Sequence, residues 1–166
     1  MIVDFKYVQE VQKNFLEHLK KKKGINYQDD KFNVPMWLIL ALQTELGEVT
    51  NASQVNKWWF KEKINRKRLI EELSDLLSYI GSLANTLEVE LVLNIEKVQV
   101  IAIESTVNNL AYRITTLNRN KRHARSTLIN YIIPLFIELV YSLGYNLDEL
   151  EETYKCKMGE KYLRFI

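Results

Sequence analysis

A chain of 166 residues, 47% hydrophobic and 27% charged, suits one domain with a sizeable core, so 1–166 is taken as a single domain. A net charge of +2 excludes a general polyanion binder and argues against a nucleic-acid partner. The single cysteine, Cys156, excludes an intrachain disulfide framework and fits a reducing compartment.

No run of about 18 apolar residues occurs, so no membrane-spanning helix is expected. The N-terminal segment interleaves Asp4, Lys6 and Glu10 with apolar residues, unlike a signal peptide. The expectation is a soluble, cytoplasmic protein without a membrane partner. With only 5 glycines and 2 prolines, turn punctuation is sparse and an all-α fold is favoured.

In chain order, the first helix is expected over Asp4–Lys23, with Phe5, Val8, Gln12, Phe15 and Leu19 on one side. Gly24 supplies a left-handed cap, and the lysines before it suit the negative helix end. A second helix starts near Asn33 as N-cap, tolerates Pro35 in its first turn, and runs to about Asn51–Asn56. A third covers about Lys67–Leu87, burying Leu69, Leu73, Leu76, Leu77, Ile80 and Leu83.

A fourth helix is assigned to about Leu93–Leu117. Residues 87–104 alternate enough to be partly β, but no other strand offers itself as a partner. A basic loop, NRNKRHAR, follows at 118–125. A fifth helix, about Ser126–Leu143, contains Pro134, which should kink or split it. Asn146 and Glu149 form a capping pair for a last helix, about Leu147–Lys161. Cys156 is taken as packing, and neither His18 nor His123 stands at ligand spacing from another His or Cys.

The chemistry concentrates in two acidic pairs. Glu45 and Glu48 are i and i+3, on one helix face beside Leu42 and Leu46. Glu72 and Asp75 repeat that spacing beside Leu73, Leu76 and Leu77. Antiparallel helices carrying such pairs bring four carboxylates together, tolerable if hydrated, protonated or occupied by a cation. Oxygen-only ligands favour a hard ion, Mg²⁺ or Mn²⁺. Mg²⁺ bound by carboxylates usually serves phosphate chemistry, which points to ester or anhydride hydrolysis. The alternative is that these acids lie on solvated helix faces.

The pattern E-x-x-E then E-x-x-D, together with Asn51 and the "NKWW" element at 56–59, resembles the dimeric dUTPases of the all-α NTP pyrophosphatase superfamily. Asn56 stands where that group has Phe, Ser78 where it has His, and Lys161 where it has Asn. Tyr79 and Ser82-Leu83 fit its pattern after the second pair. The resemblance implies a four-helix-bundle core with additional C-terminal helices, a homodimer, and hydrolysis of dUTP to dUMP and pyrophosphate.

It further implies Glu45, Glu48, Glu72 and Asp75 as ligands of Mg²⁺ (or Mn²⁺), with Glu48 orienting or deprotonating the attacking water. Gln12 would contact uracil, although Gln9 lies one turn earlier and could take that role. Asn51, Lys57, Lys157, Lys161 and Arg164 would contact the nucleotide, the cations on its phosphates, and Trp59 would cover or wall the base. For Trp58 packing is favoured. The alternatives are a related pyrophosphatase acting on another nucleotide such as dCTP, or a non-catalytic helical interaction module.

Overall fold

The computed structural model describes residues 1–59, 61–100 and 102–164, with side chains described as far as Glu160. Among the described residues, seven α-helices carry the fold: α1 (Lys6–Lys23), α2 (Met36–Ser53), α3 (Arg66–Leu87), α4 (Ile103–Thr115), α5 (Lys121–Thr127), α6 (Ile133–Ser142) and α7 (Leu147–Arg164). No single helix among the described residues is long and apolar enough to cross a membrane.

Helix α3 is the central rod. Its apolar positions recur at helical spacing, and Leu69, Leu73, Leu76, Leu77, Ile80, Leu83 and Leu87 are all buried. Each such side chain contributes about 1.5–3 kcal/mol relative to exposure. Helices α1, α2 and α7 pack around α3, while α4 lies against α2 and α6. One hydrophobic cluster runs from Val3 to Met158. Helices α1 and α3 approach tightly at Gly81, where an added Cβ would overlap a methyl of the buried Val8. Asn65 caps α3 by accepting from the Arg68 N–H (3.1 Å).

Several boundaries differ from the sequence expectation. Residues 2–4 form a strand, β1 (Ile2–Asp4), that pairs antiparallel with β2 (Val92–Asn94), Val3 opposite Leu93. The fourth helix therefore starts at Ile103 rather than near Leu93. The pairing buries Val3 and joins segments about ninety residues apart in the chain.

Helix α2 begins after Pro35, not at Asn33, and Asn33 instead bridges to Asn120. The basic segment is no loop: Asn120 caps α5 by accepting from the His123 N–H (2.9 Å), and Lys121 opens that helix.

Pro134 is accommodated by widening the helix before it. Residues 128–132 make a π turn, with the Ile133 N–H bonded to the Leu128 carbonyl. Proline supplies no N–H and crowds the carbonyl four residues back, and a wider turn relieves both. The capping pair before α7 forms as expected: Glu149 N–H donates to Asn146 Oδ1 (2.8 Å), and Asn146 N–H to Glu149 Oε1 (3.2 Å). Cys156 is exposed on α7 rather than packed.

Candidate metal and nucleotide site

Helix α2 buries Leu38, Ile39, Leu42, Leu46 and Val49, which turns Glu45 and Glu48 toward its border with α3. On α3, the buried row from Leu69 to Ile80 likewise sets Glu72 and Asp75 at the border with α2. Carboxylate oxygens of Glu45, Glu72 and Asp75 come within 4.8 Å of one another, and all three residues are half-buried. This trio can hold a divalent cation.

Glu48 stands at its rim. It pairs with Arg68 (Nη2 to Oε2, 3.8 Å), which also reaches Glu72 (Nε to Oε1, 3.9 Å). The Arg68 bridge between the two acidic pairs was not anticipated from sequence.

Lys157 and Arg68 offset the negative charge of the trio only in part. Burial, followed by Asp75, Glu72 and Glu48 in that order, pushes the Glu45 carboxyl up to about 7. Burial and then Asp75 also raise Glu72, against the pull of Lys157 and Arg68. The Tyr79 phenol is held above its ordinary value by burial and by Glu45 and Asp75.

Lys157 of α7 is the internal counter-ion. Its Nζ donates to Asp75 Oδ2 at 2.7 Å and to the Glu71 carbonyl at 3.4 Å. A half-buried ion pair of this length is a charge-assisted hydrogen bond.

A cleft of about 230 Å³ opens beside the trio, lined by Glu45, Asp75, Ser78, Tyr79, Lys157 and Met158 among others. A larger cleft of about 540 Å³ lies toward the far end of α3, near Gln9 and Glu88. That one begins roughly 15 Å along the helix from Asp75 and mixes Lys6 and Lys13 with Glu10, Glu88 and Glu90. Size alone therefore points away from the chemistry, because only the smaller cleft adjoins converging carboxylates.

The two glutamines of α1 differ in their surroundings. The Gln9 amide is spent on structure: Nε2 donates to Asn85 Oδ1 (3.1 Å) and the Val89 carbonyl (2.7 Å), and Oε1 accepts from the Leu91 N–H (2.8 Å). Gln12 lies on the cleft side, with Nε2 bonded to the Tyr154 hydroxyl (2.9 Å) and facing Met158 Sδ (3.9 Å). It is buried one layer behind the wall that Met158 forms.

The remaining expected residues are less gathered. Asn51 is exposed in the last turn of α2. Gln54, left-handed at φ 59°, ends that helix. Its buried side chain exchanges two hydrogen bonds with the Glu62 backbone (2.9 and 2.7 Å), closing the neck of the loop that bears Lys57, Trp58 and Trp59. Neither the clamp nor its importance was read from the sequence.

Lys57 is half-buried, and among the described residues no ion pair joins it to the acids. Trp59 is 63% exposed and meets Trp58, 90% exposed, edge to face at 5.9 Å. The structure thus brings neither indole over the trio, and Trp58 is not packed in the core. Lys161 and Arg164 lie on α7, but their side chains fall outside the described residues.

Taken together, the structure is an all-α bundle whose acidic trio could hold a divalent cation. The dUTPase family model matches residues 4–164, nearly the whole chain. The chain belongs to the dUTPase family, and its reaction is the hydrolysis of dUTP. No curated protein and no solved structure matches it.

Proposed function

We propose that the whole chain, 1–166, works as one Mg²⁺-dependent dUTP diphosphatase domain, releasing dUMP and pyrophosphate. The convergence of Glu45, Glu72 and Asp75 carries this reading. Oxygen-only donors fit Mg²⁺ or Mn²⁺. The raised Glu45 carboxyl marks charge that a cation would relieve. When bound, the ion would neutralise phosphate charge and lower the pKa of a coordinated water.

Glu45, Glu72 and Asp75 hold the metal. Glu48, at the half-exposed rim beside them, completes the set and orients the attacking water or takes its proton. Arg68 keeps Glu48 turned toward α3. Lys157 exchanges its contact with Asp75 for a phosphate oxygen, acting as a compact point charge. Lys57, Lys161 and Arg164 add positive charge for the triphosphate. Gln12 reads the base edge, and Asn51 and Trp59 close around the nucleotide. A homodimer is consistent with the exposed Met36, Leu40, Trp58 and Trp59. The one free cysteine fits a cytoplasmic setting.

Pyrophosphate release from a panel of deoxynucleoside triphosphates, with and without Mg²⁺, tests this. The expected result is Mg²⁺-dependent release, mainly from dUTP, abolished by Glu48→Gln with circular dichroism unchanged. Normal turnover by Glu48→Gln removes the catalytic role of Glu48, and normal turnover by Glu45→Gln removes the metal-site reading. Release mainly from dCTP would move the substrate assignment.

A further inference from the structure

A third cleft, of about 360 Å³, lies between α4 and α6 and shares no residue with the acidic trio. Asn109, Tyr112 and Arg113 line it from α4, and Asn130, Tyr131 and Glu138 from the π turn and α6. Its volume is in the range of small-molecule sites.

The cleft holds an anion and a cation that do not meet. Glu138 is only 8% exposed, yet among the described residues its carboxylate has one hydrogen-bond partner, the Thr106 hydroxyl at 3.3 Å. That hydroxyl has a single proton and also lies 3.4 Å from the Ala102 carbonyl, so the bond is shared. A buried carboxylate ordinarily meets a cation or several donors. Arg113 is the cation nearest at hand, but its guanidinium sits over the Tyr131 ring (3.5 Å) and beside Tyr112 (5.4 Å). Among the described residues no carboxylate takes its N–H groups. A planar fork of donors held on an aromatic ring suits a phosphate oxygen.

The two ends of the cleft therefore ask for different groups of one ligand: N–H donors for Glu138 and an oxyanion for Arg113. About 10 Å of α4 separates Thr106, beside Glu138, from Arg113. A free amino acid carries both groups on one carbon, too close to reach both ends. The Asn109 amide and the exposed Tyr112 ring between them suit a flat heterocycle.

We propose that this cleft is a second nucleotide-binding site, taking a nucleoside monophosphate whose base bears an exocyclic amine, with Glu138 accepting from the base and Arg113 holding the phosphate. Cytosine and guanine present amino donors to a carboxylate, whereas uracil presents an oxygen at the position of the cytosine amine. An oxygen set against the buried Glu138 would leave two acceptors unpaired. The cleft thus favours the nucleotides that the dUTP reaction does not use.

Calorimetry in EDTA tests this by titrating dCMP, dGMP, dUMP and inorganic phosphate into the wild type, Glu138→Met and Arg113→Met. Circular dichroism and Mg²⁺-dependent dUTP turnover establish that each variant is folded. The wild type is expected to bind dCMP and dGMP about tenfold or more tighter than dUMP, with phosphate weakest. Glu138→Met should level the three nucleotides, and Arg113→Met should weaken dCMP and dGMP about tenfold or more. If Glu138→Met does not fold, Glu138→Gln, which keeps the shape and removes the charge, should narrow the same preference. Glu45→Gln, which disables the trio, should leave dCMP binding unchanged, so a failed metal site and a failed cleft are told apart. Three results overturn the proposal: no binding of dCMP or dGMP at millimolar concentration, binding that survives both cleft substitutions, or dCMP binding lost in Glu45→Gln. Sedimentation adds a fourth, a dimer that Arg113→Met dissociates and that takes up no dCMP, which would make the cleft an interface between copies.

Discussion

Changing pH in the metal-free protein should move its stability in a direction opposite to that of most acid-paired proteins. Glu45 is pushed up to about 7 when folded, first by burial and then by Asp75, Glu72 and Glu48, from an ordinary value of 4.5. Between those values the folded chain holds a proton that the unfolded chain has lost. Stability therefore falls as pH rises from about 4.5 to about 7, and this contribution levels off above. Glu72, raised by burial and Asp75, adds in the same sense.

Because Glu45 is only partly buried, solvent screening reduces its contribution to about 1 kcal/mol. For a chain of this size that is about 3 °C in Tm. A bound cation requires the ionised trio, so it should reverse the trend. Below pH 7 its apparent affinity should drop up to about tenfold per pH unit. Thermal melts at pH 5.5 and 8, in EDTA and in Mn²⁺, check this in the wild type and in Glu45→Gln. Glu45→Gln should flatten the metal-free pH dependence and lose most of the Mn²⁺ stabilisation. An unchanged slope and an unchanged Mn²⁺ effect in that variant would refute the reasoning.

Lys157→Met removes the counter-ion of Asp75, so the metal-free protein should melt about 2–4 °C lower and gain more from Mn²⁺ than wild type does. Differential scanning calorimetry reads both. Gly81→Ala gains about 1 kcal/mol of helix propensity but must displace Val8 at the tight α1–α3 crossing, at a cost of about 1–3 kcal/mol. Urea unfolding should show net destabilisation, and a stabilised variant would contradict the packing. Gln54→Ala opens the neck of the tryptophan loop. Trp fluorescence anisotropy should fall and KM for dUTP should rise severalfold, with kcat little changed.

The convergence of Glu45, Glu72 and Asp75 was legible because α3 states its own register. Seven buried positions at helical spacing leave Glu72 and Asp75 one orientation only, and Leu42, Leu46 and Val49 do the same for Glu45 on α2. Two equal spacings on consecutive helices thus implied convergence before any coordinates. Periodicity fails where partners are distant. Residues 92–94 form a strand only because Ile2–Asp4 lie beside them, and nothing local announces that pairing. The polar appearance of residues 118–125 hid a helix start, since charged residues suit a solvated first turn as well as a loop.

The site's finer layers escaped for a related reason. Gln12 fell on the expected buried stripe, but its depth behind Met158 depends on α7, more than a hundred residues later in the chain. The Arg68 bridge, the Lys157–Asp75 pair and the Gln54–Glu62 clamp are likewise side-chain pairings whose geometry no spacing rule encodes. The two tryptophans show the converse limit: a motif position was recognisable, yet its exposure was set by the loop that carries it.

The most direct measurement is anomalous scattering from crystals grown with Mn²⁺ and dUMP. The account predicts manganese peaks bound by Glu45, Glu72 and Asp75, with Lys157 drawn off Asp75. Manganese bound elsewhere, or the trio still closed on Lys157 with no peak among its oxygens at saturating Mn²⁺, would contradict it.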